Sequence, residues 1–435
     1  MSRKRKKRKP GEREKGLPGS DSKSNTVDAT GSHLDSLLGI DAKKSKSYAR
    51  IKLYLVGLGM VLVLAGGYWG YGAYNKVILE EACEAAKSSG DWAELELKAR
   101  EWAIWDPDNE KPWLYLATAA QEVGANQELL KYLSLMPESG PSPAFMLQSD
   151  ILFQSNKARE AAEIFAMLVA REPASKEAHR RLNFYYAMTR QRTELIRESR
   201  RAIQDGADII DSFVYLVGAD WLTFTNGYQV TMAWAQAYPG DNEIFEIAAA
   251  MHLIAAGVDQ SMEEVDEKLK EQLSKSSEII ANLKAKYPNN REILVMEMVY
   301  HIHRANARKV GELLNQLTID VEDDSRFWRF KGWFYSYCED WTQAEAAYRK
   351  CLELYPYDWQ CRHELSLVLR QLNKPEELKA IQESAYLGKD VMRDVLQADN
   401  IAAISLKSME KIIQYARLCG ESEMAQKLSD RLYER

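Results

Sequence analysis

From Lys76 to the C-terminus, apolar residues recur every three or four positions, in runs of about a dozen separated by short polar or Gly/Pro breaks. That is the period of helices with one apolar face. Long alternating runs of the kind that mark strands are missing, and Ala, Leu, Glu and Lys are abundant, so the pattern predicts helix throughout. Prolines that follow a Tyr-, Glu- or Asp-rich helix turn stand at Pro107, Pro173, Pro239, Pro288 and Pro356, at spacings of 66, 66, 49 and 68. Three of these are close to twice a unit of about 34 residues. The midpoints fall in loop-like sequence at Pro141, Asp205-Gly206, Val321 to Ser325 and Gly388 to Asp390. The odd spacing holds one extra segment, which fits a charged, lengthened helix from Ser261 to Tyr287. About nine or ten helix pairs in one continuous stack are predicted over 76–435, because a single pair cannot bury its apolar face alone.

The clearest unit runs from Arg326 to Pro356 (RFWRFKGWFYSYCEDWTQAEAAYRKCLELYP). Two helical runs flank a break at Glu339-Asp340. Counted from Ser325, residues Trp328, Gly332, Tyr335, Ala344, Tyr348 and Pro356 resemble the tetratricopeptide repeat (TPR) pattern W-x2-L-G-x2-Y, A-x3-F and a closing P. Lys331 and Cys351 depart from it mildly. A second unit, 142–173, keeps Phe145, Ala161, Phe165 and Pro173 in register; 325–358 and 142–173 are the clearest repeats. The last pair, about 401–435, reads as a polar cap. The resemblance implies an all-α fold, a right-handed superhelical solenoid of TPR-like helix pairs.

Composition changes the picture at the N-terminus. Residues 1–52 carry 15 Lys and Arg against 6 acids, whereas 53–435 carry 43 against 58. The opening SRKRKKRKP has seven basic residues in the first ten positions, and residues 1–50 are too polar to offset chain entropy, so they read as a disordered basic tail. Positions 3–9 suit anionic lipid headgroups. His33 to Ile40 is a small apolar island inside that tail, either a docking motif or a chance cluster. Leu53 to Asn75 has 23 residues without charge. As a helix it would reach roughly 34 Å, enough for a bilayer core. A transmembrane helix over 51–75 is predicted, with Tyr54 near one end and Tyr68, Trp69, Tyr71 and Tyr74 near the other. Basic residues are retained on the cytoplasmic side, which predicts a single-pass protein with a cytoplasmic N-terminus and an extracytoplasmic solenoid beyond a plasma or inner membrane. Gly66 and Gly70 have the spacing that lets two spans pack as a homodimer.

Candidate chemistry is sparse. Six histidines (His33, His179, His252, His301, His303, His363) are scattered, and His301 and His303 point to different helix faces. There is no HExxH, GxSxG, phosphate-binding loop or dinucleotide-binding glycine pattern. Five cysteines (Cys83, Cys338, Cys351, Cys361, Cys419) include no CxxC pair, so buried free thiols are expected and no disulfide framework. Neither an enzyme nor a cofactor or metal site is expected. Binding is another matter. The TPR resemblance implies a concave groove lined by first-helix positions 2, 5, 9, 12 and 13, here Arg326, Arg329, Trp333, Ser336 and Tyr337. Guanidinium and aromatic groups together suit an extended peptide with acidic or aromatic side chains. A second candidate is the basic patch formed by Arg180, Arg181, Arg190, Arg192, Arg197, Arg200 and Arg201. The Lys and Asn positions by which TPR co-chaperones hold a chaperone C-terminus are occupied otherwise, as by Leu114 and Thr118 or by Arg329 and Trp333. The reading is a membrane-anchored TPR scaffold for protein partners in an extracytoplasmic compartment. The alternative is a cytosol-facing receptor for precursor proteins on an organelle membrane.

Overall fold

The structure is a computed structural model that describes residues 42–207, 209–258, 267–317 and 321–433. It is all-α, with no strand among the described residues. The chain divides into two compact units, 1–78 and 79–435.

In the first unit the described part belongs to helix α1 (Ala42–Ser89). The helix starts earlier than the predicted tail boundary at 50. No Gly or Pro interrupts the chain between Ala42 and Val56, so nothing stops it there. From Leu53 to Leu64 the large apolar side chains are exposed, among them Leu53, Leu55, Val56, Leu62 and Val63. The predicted span over 51–75 therefore lies on a helix, although among the described residues no helix is long and apolar enough to cross a membrane. The side chains of Ile51, Lys52, Ala65, Gly66, Tyr68, Trp69, Tyr71 and Gly72 lie outside the described residues, and so do the basic run at 3–9 and the island at His33–Ile40. The expected contact through Gly66 and Gly70 falls partly among them.

The second unit is a helical repeat solenoid. Residues 79–89 of α1 pair with α2 (Trp92–Trp105). Further pairs are α3 (Glu110–Glu122) with α4 (Asn126–Ser134), α5 (Ser142–Gln154) with α6 (Ala158–Arg171), and α7 (Lys176–Met188) with α8 (Arg192–Gln204). After α9 (Ile210–Gly218), α10 (Gly227–Ala237), α11 (Glu243–Val258) and α12 (Glu267–Lys286), the pairing resumes as α13 (Arg291–His303) with α14 (Ala307–Asn315). It continues with α15 (Ser325–Tyr337) and α16 (Trp341–Leu354), α17 (Trp359–Gln371) and α18 (Pro375–Leu396), and α19 (Leu406–Leu418) and α20 (Ser422–Tyr433).

Three local devices shape the helix pairs. At the corner inside a pair, one residue takes a left-handed backbone with φ between 52° and 84°: Gly90, Gly124, Asn156, Arg190, Ala305, Glu339, Asn373 and Gly420. That single reversal lets the following residue start the next helix, and Asp91, Asn306 and Asp340 there accept from the backbone three positions on. Second, the fourth residue of the first helix donates its side chain to the carbonyl six residues back. Trp113 Nε1 reaches Pro107 O at 2.9 Å and Trp328 Nε1 reaches Glu322 O at 3.1 Å. His179 Nε2 bonds Pro173 O at 2.8 Å and Arg362 Nη2 bonds Pro356 O at 2.8 Å. Third, Gly332 lies flat against Tyr348, where an added Cβ would come within 2.6 Å of the ring.

The stack is less continuous than the sequence predicts. Helix α9 is buried after its first turn, with Phe213, Val214, Tyr215, Leu216 and Val217 all covered. It packs on α7 and α8 and on the C-terminal α20, whereas α10 and α11 pack on the aromatic core of the earlier repeats through Trp234, Phe153 and Tyr185. Tyr355 Oη lies 2.9 Å from the carbonyl oxygens of both Leu216 and Val217, which accept its proton. Arg200 pairs with Glu421 at 2.8 Å, and Lys427 Nζ donates to Ile203 O at 3.0 Å. The last pair thus closes against the middle of the solenoid and does not present a free polar cap. One expected break is absent: Gly388–Asp390 lies inside α18, where Gly388 gives room to Tyr415 and Trp359.

Candidate functional site

A cavity of about 360 Å³ lies where α11, α12 and α13 meet the 219–223 segment, α15 and the 357–360 turn. One wall is aliphatic: Met251 and Ile254 on α11, Ile280 on α12, and Val295, Met296 and Val299 on α13. Trp221, Tyr357 and Trp359 form an aromatic edge. The opposite wall carries Arg190, Arg192, Arg326 and Arg329 with Asp220 and Asp358.

Three of these guanidiniums are engaged by carboxylates. Arg192, first residue of α8, pairs with Asp220 at 3.1 Å through Nη2, donates to Ser325 Oγ at 2.9 Å, and lies 4.5 Å above the Tyr355 ring. Arg326 forks between Asp324 (2.7 and 3.0 Å) and Glu292 (2.6 and 2.7 Å). Arg329 holds Asp358 (3.1 Å) and Gln360 (2.7 Å). Burial disfavours each charge, but the partners outweigh it. Burial lowers Arg326, yet Glu292 and Asp324 hold it well above the ordinary arginine range. Burial raises Asp324, yet Arg326 and Arg192 hold it well below the ordinary carboxylate range. A buried pair broken on one side leaves a costly charge, so these contacts are mutually dependent.

Arg190 differs. It donates to the Leu222 carbonyl and, at 3.5 Å, to that of Asp220, and has no carboxylate partner among the described residues. Burial pushes its guanidinium below the ordinary value, offset in part by Glu292 and Asp220. Its left-handed backbone is the repeat's corner conformation, also taken by Asn156 and Asn373, and so is no sign of special strain. His303, also on the lining, is pushed below its usual pKa by burial, with Arg329 adding to the effect. Beside the charged wall Glu364 Oε2 is buried without a hydrogen-bond partner, and burial lifts its carboxyl to about 7.

The structure brings Arg326 and Arg329 together with Arg190 and Arg192, which the sequence placed in a different group. Arg326 is only 6% exposed and committed to two carboxylates, so it is a structural clamp and not an open groove contact. Trp333, Ser336 and Tyr337 lie further along α15, outside the cavity lining. Trp333 is half-buried with its ring centroid 5.6 Å from that of Tyr337, which is 58% exposed, and Ser336 Oγ is 3.5 Å from Tyr348 Oη. Leu367 on the neighbouring α17 is 44% exposed.

The predicted basic patch does not form one face. Arg180 pairs with Glu177 at 3.0 Å, and Arg181 with Glu177 and Asp150 at 2.7 and 3.3 Å. Arg197 pairs with Glu194, Arg200 with Glu421, and Arg201 with Asp205 at 3.4 Å. Arg190 and Arg192 turn inward because Asp220 and the chain carbonyls beside it are there to receive them. The sequence held one signal of this: Asp220 is the single charge in the apolar run from Ser212 to Leu222, and a lone buried acid requires a cation. The aliphatic wall gave no such signal, since Met251 and Val299 read as ordinary core.

Of the free cysteines, Cys83, Cys351 and Cys361 are buried, Cys419 is half-buried and Cys338 is exposed. Among the described residues no group of three or more His, Cys, Asp or Glu could hold a metal ion.

No protein-family model matches the sequence, and no curated protein matches it. Solved structures similar to the chain include a tetratricopeptide repeat protein from Parabacteroides merdae, at 11% identity over 68% of this chain and 99% of that one, TM-score 0.28. Others are the human IFIT1 dimer with PPP-AAAA (13% identity, 81% and 88% covered, TM-score 0.32) and yeast Tom70 (12% identity, 83% and 92% covered, TM-score 0.28). At these values the likenesses carry no assignment of function.

Proposed function

We propose that the protein is a membrane-anchored interaction scaffold, in which the solenoid holds a protein partner and α1 holds the solenoid at a bilayer. The observation that carries the binding half is the exposed Tyr337 beside the half-buried Trp333 on α15, with Leu367 exposed on α17. The repeat does not need an exposed ring there, and a surface of this kind suits an extended segment with apolar or aromatic side chains. Arg329 beside it is engaged by Asp358, so acidic recognition is the weaker part of the expectation. A photocrosslinking residue at Trp333 should capture a defined protein; capture of lipid alone, or of nothing, would reject this surface.

The anchoring half is supported by the exposed apolar side chains at Leu53 to Leu64 of α1 and by the excess of basic over acidic residues in 1–52. The N-terminus is then cytoplasmic and the solenoid extracytoplasmic. In sealed vesicles the solenoid should resist protease added from the cytoplasmic side. Its digestion there would reverse the orientation and favour a cytosol-facing receptor.

A further inference from the structure

Two of the buried thiols lie beside each other at a corner on which closure of the solenoid depends. Cys351 is on the last turn of α16 and Cys361 on the first turn of α17, and both are fully buried. Asp358 joins them. Its Oδ1 accepts from the Cys361 backbone N–H at 2.9 Å and its Oδ2 from Cys351 Sγ at 3.7 Å. Cys361 Sγ lies 3.4 Å from the carbonyl oxygen of Tyr348, about one turn before Cys351, and is in hydrogen-bond contact with the Cys351 thiol. The corner between them carries contacts that close the molecule. Tyr355 Oη reaches the Leu216 and Val217 carbonyls, Tyr415 Oη donates to the Tyr357 carbonyl at 2.9 Å, and Arg362 donates to that of Pro356.

Thiols in contact across two helix ends need only approach to about 2.0 Å to be bonded, a distance that side-chain rotation supplies. We propose that Cys351 and Cys361 form a disulfide that staples the α16–α17 corner when the chain meets an oxidant of the small-disulfide class. One thiolate attacks a sulfur of the small disulfide and releases one small thiol; the second then attacks the mixed disulfide and releases the other. The chain gives up two protons and two electrons, and the small disulfide takes them up as two thiols. Burial raises both protein thiols and covers them, so the exchange runs when the corner opens. The nine residues between the cysteines then become a closed loop, which removes freedom from the opened state more than from the folded one. Asp358 loses a thiol donor but keeps the Cys361 amide and Arg329. This goes beyond the scaffold reading and does not rest on it, because the bond needs an oxidant and not a partner.

The test equilibrates the full chain, purified in detergent under reducing conditions, with oxidised or reduced glutathione in urea just below the unfolding midpoint. After acid quenching, free thiols are alkylated in denaturant and the tryptic peptides are mapped by mass spectrometry. Lys350 and Arg362 place both cysteines in the one peptide 351–362. In the oxidised sample that peptide should be two hydrogens lighter and take no reagent, while Cys83, Cys338 and Cys419 are alkylated. The urea midpoint of the oxidised protein should lie above that of the reduced protein, and hydrogen exchange should slow at 355–358 and in α9. Cys351→Ala keeps a small side chain in the same packing space and should lose both the bridge and the redox-dependent shift, whereas Cys338→Ser should keep them. If the Cys351 variant does not fold, the mapped peptide of the parent decides the matter. Alkylation of both cysteines in the oxidised sample, a bridge that recruits Cys83, Cys338 or Cys419 instead, or a urea midpoint lowered by oxidation would each overturn the proposal.

Discussion

Gly332 is required by the ring of Tyr348, which an added methyl would meet at 2.6 Å. Gly332→Ala gains helix propensity of about 1 kcal/mol but forces the ring or the helix to move, which costs about 1–3 kcal/mol. Net destabilisation by chemical denaturation is expected; a stabilised variant would show that the ring yields freely. Glu364 tests burial of a different kind. Its carboxyl titrates near 7 in the folded protein because burial disfavours the charge, against an ordinary value near 4.5. Between those values the unfolded chain has released the proton and the folded chain has not, so stability falls as pH rises, and the loss levels off above about 7. Glu364→Gln, which mimics the protonated form, should match the parent near pH 4 and exceed it by roughly 3 kcal/mol at pH 8. Thermal melts across that range check it; a constant difference between the two proteins would refute the assignment.

In the helix pair, the next scale up, the first turn is fixed by the side chain at the fourth position. Trp113, His179, Trp328 and Arg362 differ in chemistry yet each donates to the carbonyl six residues back. Their deletions should differ. Trp328→Phe loses one hydrogen bond and retains most of the ring, at about 1 kcal/mol. His179 also bonds Glu198 through Nδ1, with the imidazole fully buried. Burial lowers its pKa, but Glu198 and the Pro173 carbonyl raise it further, so the net shift is upward. His179→Leu strands a buried carboxylate and should cost about 3 kcal/mol or more, a contrast that urea unfolding of the two variants would resolve. The repeated cap was hidden from sequence reading because Trp, His and Arg share a donor at the right reach and not a common letter. The pattern at Trp328, Gly332 and Tyr348 was legible because packing a helix pair tolerates few residue types there.

Across the whole solenoid, closure makes distant segments depend on one another. Helix α9 is covered by α7, α8 and the C-terminal α20, and Tyr355, just past the end of α16, ties down its last carbonyls. Removing 401–433 should therefore strip amide protection from α8 and α9, far back in the chain, while α3 to α6 keep theirs. Hydrogen exchange measures this directly. Loss confined to α18 would mean that the last pair is a simple terminal cap. The same closure explains why the cavity could not be foreseen: its two walls come from turns and helices widely separated along the chain, and no short window contains both Arg190 and Val299.

Helices, their pairing, the period of about 34 residues and the apolar stretch at 53–75 could all be read from the chain alone, because each depends on residues near one another in it. Arg190, Arg192, Arg326 and Arg329 could be named in the same way, but as members of two separate surfaces. The folded molecule was needed to show that they share one wall, that three of them pair with Asp220, Asp324, Glu292 and Asp358, and that Arg190 bonds backbone carbonyls instead. A charge's role depends on which opposite charge reaches it in space, and in a solenoid that turns back on itself this is set by closure and not by spacing along the chain.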